Sequence, residues 1–148
     1  MIKNSRRQAI IELIKSFDIA TQEELTEKLT EKGFEVSQAT ISRDIKELNL
    51  IKVEGQNKRS KYAIIEDFST KLTPQLINLF KQITLSIESA NNLIVLKTIS
   101  GNASAAGMAI DEIKLPQVLG TVAGDDTLLI ITKTSADAEI VVKGLELL

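Results

Sequence analysis

The 148-residue chain predicts an α+β fold in two parts, an N-terminal winged helix-turn-helix followed by a small C-terminal α+β domain. Three observations carry this reading. The first is a set of three helically spaced apolar segments that opens the chain. The second is a pair of short strand-like segments around a basic turn. The third is a second half whose signals run helix-strand-strand-helix-strand-strand-helix. The length allows one domain or two small ones, and the 43% hydrophobic and 26% charged content is that of an ordinary globular protein.

Ser5 to Phe17 reads as the first helix, with Ile10, Leu13, Ile14 and Phe17 on one stripe. Thr21-Gln22-Glu23-Glu24 is a capping box that starts a second helix running to about Lys32. Gly33 stands where a left-handed C-cap is wanted. Phe34 and Val36 mark a short extended piece, and Ser37 is placed to N-cap a third helix ending near Leu48. In that helix Ile41, Ile45 and Leu48 recur at i, i+4 and i+7, which leaves Ala39, Ser42, Arg43 and Lys46 on the opposite side. A small, hydroxylated and basic face suits a helix in the major groove of DNA. An ordinary amphipathic surface helix accounts for the same spacing. Gln38 and Thr40 in the first turn complete the candidate DNA-contacting set on this helix.

After Leu48 the period changes. Leu50 to Val53 and Lys61 to Ile65 read as strands around the polar turn Glu54 to Ser60. Lys58, Arg59 and Lys61 cluster at its tip, as a phosphate-contacting wing requires; a solvated loop is the alternative. Glu66 to Leu72 is polar with one Phe. The first domain is set at 1–67, a linker at 68–73 and the second domain at 74–148.

Thr73-Pro74 starts the next helix, with Thr as N-cap and Pro at N1, and Leu76, Ile77, Leu79, Phe80 and Ile83 supply its apolar positions. Strands follow at Thr84 to Ser89 and Leu93 to Ile99, joined at Asn91-Asn92. Gly101 precedes a helix from about Ala103 to Ile113. Its Ala103, Ala105, Ala106, Gly107 and Ala109 are small enough for close helix or subunit approach. Strands at Val118 to Ala123 and Thr127 to Thr132 and a helix from Ser135 to Leu147 complete the chain. Leu93-Ile94-Val95-Leu96 and Leu128-Leu129-Ile130-Ile131 are unbroken apolar runs, more than one covered sheet face needs. Subunit contacts on the second face explain them.

The chain has no Cys and no His, which excludes disulfides, thiolate or imidazole metal sites, and His-dependent catalytic triads. The expectation is a protein that is not an enzyme and has no metal. The net charge of −2 hides a pattern: residues 1–67 hold 12 Lys/Arg and 12 Asp/Glu, residues 68–148 hold 6 and 8. In the first half the acids bunch between Glu23 and Glu35, and the bases gather at Arg6-Arg7, at Arg43 and Lys46, and from Lys52 to Lys61. Local basic patches rather than total charge decide phosphate binding. No apolar run spans a membrane, and the polar, basic start is unlike a secretory signal, so a cytoplasmic location with no membrane partner is expected.

The stretch Gly120-Thr121-Val122-Ala123-Gly124-Asp125-Asp126-Thr127 sets two acids side by side between apolar strands. A hairpin turn is one reading. A cation site is the other, since paired carboxylates grip a guanidinium in fork geometry. Asp111, on the small-residue helix, could take an amino group. Too few acids cluster here for a full magnesium or calcium cage.

Taken together, Ser-Gln-Ala-Thr-Ile-Ser-Arg-Asp-Ile-Lys-Glu-Leu at 37–48, Gly-Asn-Ala at 101–103 and Gly-Thr-Val-Ala-Gly-Asp-Asp-Thr at 120–127 resemble the bacterial arginine repressors over nearly the whole chain. The resemblance implies a hexamer of two stacked trimers, with L-arginine at their interface as corepressor and no other cofactor. It implies N-terminal domains that bind double-stranded operators of arginine biosynthesis and catabolism genes. Ser42 and Arg43 match the pair that reads DNA. Asp125 and Asp126 match the acidic pair, Asp125 being the guanidinium partner across the interface. Ser104, Asp111, Thr121, Ala123 and Gly124 match positions around the ligand. Some members carry Gln where Ser104 stands, which makes a water-bridged contact the expectation here. Three other readings stay open from residues alone: a sensor of lysine, ornithine or citrulline, an enzyme using Asp111, Asp125 and Asp126, and an architectural DNA-binding hexamer.

Overall fold

The second and third helices of the N-terminal half begin where a side chain accepts from their free amides. In the computed structural model, which describes residues 2–54 and 59–148, the chain divides into two units, Met1–Ile65 and Glu66–Leu148. The first contains α1 (Ile2–Ser16), α2 (Gln22–Glu31), α3 (Gln38–Glu47) and an antiparallel hairpin of β1 (Leu50–Glu54) and β2 (Ser60–Ile64). Thr21 Oγ1 accepts from Glu24 N at 3.1 Å, and the Glu24 carboxylate accepts from Ala20 N at 3.2 Å, so the capping box closes one residue earlier than a strict box. Ser37 caps α3 through Thr40 N at 3.2 Å. Gly33, at φ +92°, reverses the chain after α2, and Phe34 N returns to Leu29 O at 3.0 Å.

Ile10, Leu13, Ile19, Leu25, Leu29 and Ile41 form the core of this unit, with Leu50 and Tyr62 from the hairpin. Tyr62 N donates to Ile19 O at 2.8 Å, which ties β2 to the α1–α2 connection. Two expectations differ in detail. Helix α1 starts at Ile2 rather than Ser5, because Lys3, Arg6 and Arg7 in its opening turns are held by acids of α3. Phe17, expected on the apolar stripe, is half exposed and carries Lys28 Nζ over its ring at 4.0 Å.

The second unit runs α4 (Pro74–Ile83), β3 (Thr84–Ala90), β4 (Leu93–Thr98), α5 (Ala103–Ile113), β5 (Val118–Ala123), β6 (Thr127–Thr132) and α6 (Ser135–Glu146). The four strands form one antiparallel sheet in the order β3-β4-β6-β5. Ile94, Leu96, Leu128 and Ile130 point to the helix-covered face and are fully buried with Ile110, Val141 and Leu145. The small residues of α5 serve this contact: Ala103, Ala106, Gly107 and Ala109 are buried, and a Cβ on Gly107 would stand 3.3 Å from Leu128 Cδ1. The alternate residues of the central strands, Leu93, Val95, Leu129 and Ile131, are half-buried, and the registers Val95↔Leu129↔Val122 and Leu93↔Ile131↔Gly120 place them on the other face. Val122 on that face is 61% exposed.

The segment 68–73, expected as a linker, is instead part of the second unit. Phe68–Lys71 forms a 3-10 turn capped by Asp67, whose side chain accepts from Ser69 N at 3.0 Å and Ser69 Oγ at 2.6 Å. These two bonds hold the Asp67 carboxyl below the usual carboxylate range. Phe68 is buried against α6, and a Cβ built on Gly144 would lie 2.6 Å from Phe68 Cζ. The pairing spans most of the domain's sequence, which hides it from local polarity. Gly144→Ala is therefore expected to destabilise the second unit by about 1–3 kcal/mol, as overpacking does. Thermal denaturation checks this; the loss should shrink in a Gly144→Ala/Phe68→Leu double variant.

Candidate nucleic-acid interface and ligand site

Helix α3 separates its residues as the apolar spacing required, with one addition. Ile41 is fully buried, Ile45 and Leu48 are half-buried, and Asp44 between them is buried too, at 1% exposure. Gln38, Ala39, Arg43 and Lys46 are exposed, and Thr40 and Ser42 are partly so. Among the described residues no acid pairs with Arg43 or Lys46. Two hydroxyls on this helix are engaged inside the unit: Thr40 Oγ1 lies 2.9 Å from Ser37 Oγ, and Ser42 Oγ donates to Gln22 Oε1 of α2 at 3.0 Å. The Ser42 lone pairs remain open, so it can still accept from a nucleobase amine.

The basic patches expected elsewhere are altered by pairing. Arg6 and Arg7 do not form a free phosphate patch. Arg6 Nε donates to Asp44 Oδ2 at 2.5 Å and Nη2 to Oδ1 at 3.1 Å. The hydrogen bond to Asp44 raises the Arg6 pKa further above its ordinary value. Arg7 Nη2 pairs with Glu47, its Nε stands 3.8 Å from Asp44 Oδ1, and Lys3 Nζ lies 3.7 Å from Glu47. In the wing, Arg59 pairs with Glu24, and Lys61 Nζ stands 3.5 Å from Asp18. Lys52 sits over the Tyr62 ring at 5.2 Å, and burial pushes the Tyr62 phenol above its usual range. Lys58 lies outside the described residues. The Arg59 and Lys61 pairs are at the surface, where each contributes little and can be exchanged for phosphate.

In the second unit, Gly124-Asp125-Asp126 is a tight connection between β5 and β6, closed by Gly124 N donating to Thr127 O at 2.8 Å. It is also tied to the start of α5. Ala103 N donates to Asp125 O at 3.2 Å, and Thr98 N to Asp126 O at 2.8 Å. Ser100 Oγ donates to Asp125 Oδ2 at 2.9 Å, and Thr127 Oγ1 to Asp126 Oδ1 at 2.9 Å. Lys97 Nζ donates to Thr127 Oγ1 at 2.7 Å, so one cation stands one hydroxyl away from Asp126. Both carboxylates are exposed, and among the described residues neither has an ion-pair partner. The residues thus form the expected turn and leave two carboxylates available on it.

Ser104, Ala123 and Gly124 are exposed. Asp111 is exposed near the far end of α5, where Thr121 Oγ1 stands 3.4 Å from its Oδ1. Ser104, Met108 and Asp111 occupy one stripe of α5, and Met108 is 65% exposed. Within one chain the candidate ligand residues therefore line an open surface along α5 and the edge strand β5. Exposed Met108 on α5 and Leu119 and Val122 on the edge strand β5 were not part of the sequence reading, since each looks like core by residue type.

A winged helix-turn-helix with an outward basic helix, joined to a small α+β domain, defines a DNA-binding transcriptional regulator. The profile of the family "Arginine repressor, DNA binding domain" matches residues 1–70, and that of "Arginine repressor, C-terminal domain" matches residues 80–146. The chain belongs to the arginine repressor family, a family of regulators and not of enzymes. It is 47% identical over 145 residues to the arginine repressor of Caldicellulosiruptor saccharolyticus, covering 98% of this chain and 95% of the relative. It is 46% identical over 145 residues to that of Clostridium tetani, with the same shares covered. Against that of Clostridium botulinum (strain Kyoto / Type A2) it is 48% identical over 138 residues, 93% of this chain and 92% of the relative.

Asp44 gives the first unit its most exacting contact. Removing one partner of a buried pair leaves an uncompensated charge, so Asp44→Ala should cost about 3–5 kcal/mol. Urea denaturation of the variant checks this, and a loss under about 1 kcal/mol would mean that Arg6 is rehydrated without the carboxylate.

Proposed function

We propose that this protein is an L-arginine-dependent regulator that represses arginine biosynthesis genes and activates arginine catabolism genes from a cytoplasmic hexamer of two trimers. The observation that carries the DNA half is the exposed Arg43 and Lys46, without an acid partner among the described residues, on a helix whose other side is locked into the core. Arg43 reads a guanine edge, with Gln38, Ala39, Thr40, Ser42 and Lys46 around it, and Lys58, Arg59 and Lys61 track phosphates. No helix among the described residues is long and apolar enough to cross a membrane.

The ligand half is supported by the exposed Asp125 and Asp126 and by the apolar surface beside them. L-arginine places its guanidinium on Asp125 and Asp126 of a facing subunit. Its α-amino end lies at Asp111, with Thr121, Ala123, Gly124 and Ser104 framing the site. The half-covered sheet face and exposed Leu119 and Val122 supply area for subunit contact.

Two measurements test this. Arg43→Ala is expected to lower affinity for an operator duplex by roughly 1–3 kcal/mol with little change on random DNA, read by titration of both duplexes. Equal losses on the two would reject the assigned role. A thermal melt should shift with L-arginine, the stabilisation reaching about 2.7 kcal/mol at 100 times the dissociation constant. Asp125→Asn should abolish that shift while moving the ligand-free melt by no more than about 0.5 kcal/mol, as an exposed side chain does. A shift with ornithine or lysine in place of arginine would reassign the ligand.

A further inference from the structure

Asp44 stands directly after Arg43 in the chain and points the other way. It occupies the inward stripe of α3 with Ile41 and Leu48, where an ionised carboxylate costs several kcal/mol unless its oxygens are paired. Arg6 of α1 meets that need with a fork, Nε to Oδ2 at 2.5 Å and Nη2 to Oδ1 at 3.1 Å. Arg7 and Lys3 continue the row of cations along α1, and Glu47 continues the row of acids along α3.

A well-packed apolar pair in place of both Asp44 and Arg6 would hold the two helices together as strongly or more so, since buried pairs rarely exceed hydrophobic replacements in stability. What the fork adds is direction. Apolar contacts such as Ile41 tolerate small rotations and slides, whereas a bidentate guanidinium–carboxylate pair fixes both oxygens in one plane. A helix with its side chains has a radius of about 6 Å, so a rotation of about 20° carries a side-chain tip roughly 2 Å. That displacement breaks a hydrogen bond to a base edge.

We propose that Arg6 is a positioning residue for sequence readout, acting through Asp44 to set the rotation of α3 and so the aim of Arg43. This rests on the reading of α3 as the DNA-reading helix.

The test uses the full chain and a duplex that it enriches from a random-sequence pool. Affinities for that duplex and for a random duplex are measured at two salt concentrations for the wild type, Arg6→Lys, Asp44→Asn and Arg43→Ala, with melts confirming folding. Arg6→Lys keeps the charge and cannot make the fork. The expected result is a fall of about tenfold in the ratio of specific to random affinity, with random-duplex affinity and salt slope unchanged. Asp44→Asn, which leaves Arg6 in place, should give the same fall. A wild-type ratio in Arg6→Lys overturns the proposal. So does a loss shared by both duplexes with a reduced salt slope, which marks Arg6 as a phosphate contact. A fall in Arg6→Lys without one in Asp44→Asn overturns it as well, because Arg6 would then act on DNA directly. If Arg43→Ala lowers the ratio and the clamp variants do not, the clamp alone fails; if none lowers it, the reading of α3 fails with it.

Discussion

A carboxylate on the inward face of a helix cannot stay ionised there unless a cation comes to it, and the N-terminal unit is arranged around that requirement. Asp44 brings the first turns of α1 against the middle of α3, and the contacts with Asp44 and Glu47 draw Arg6 and Arg7 out of the solvent-facing set. The basic charge left on the outward side of α3 then belongs to Arg43 and Lys46 alone, among the described residues of that helix. Charge is thereby sorted within the N-terminal stretch 1–67, which holds 12 Lys/Arg and 12 Asp/Glu. Internal pairing of Arg6 and Arg7 with Asp44 and Glu47 therefore lets an outward face be basic although the total is balanced.

The C-terminal unit meets a different constraint. Eighty-odd residues cannot cover both faces of a four-stranded sheet with helices and still form the helices. Placing Ala106, Gly107 and Ala109 at the α5 contact lets the helix lie close on β6, which lets Leu128 and Ile130 be sealed by few residues. Leu93, Val95, Leu129 and Ile131, on the other face, are then only half-buried within their own unit. On the proposed reading, other copies of the chain supply the remaining cover.

How much of this was legible follows from how local each signal is. The caps at Thr21, Ser37 and Thr73 are satisfied within three residues, and all three were readable. The Asn91-Asn92 turn needs a positive φ at Asn91, which its residue type permits, and it too was readable. Asp44, by contrast, sits where apolar periodicity expects Ile or Leu, and its partner lies 38 residues away. Counting only apolar residues therefore returned the right face for α3 and missed the ion pair inside it. Phe68 failed for the same reason, since its contact at Gly144 lies at the other end of the domain. The acid pair was legible as a turn and as a candidate site at once; the turn is what the structure bears out, and it exposes both carboxylates.

On the proposed reading, that exposure would couple ligand to assembly on physical grounds. In one chain Asp125 and Asp126 are solvated, and their mutual repulsion is weakened by water. If the apolar surface beside them is covered by another subunit, the same carboxylates lose solvent and meet their symmetry mates, and each then costs several kcal/mol without a cation. Lys97 stops one hydroxyl short of supplying that cation, its Nζ being spent on Thr127 Oγ1. A free guanidinium, with donors in a fork that matches a carboxylate, removes the cost only in the assembled form. Its binding energy is therefore differential between separated and stacked subunits, which is the condition for a ligand to shift that equilibrium. On the same reading, several winged domains held on one assembly would meet neighbouring half-sites at high effective concentration, so a modest bias in assembly would become a larger one in DNA occupancy.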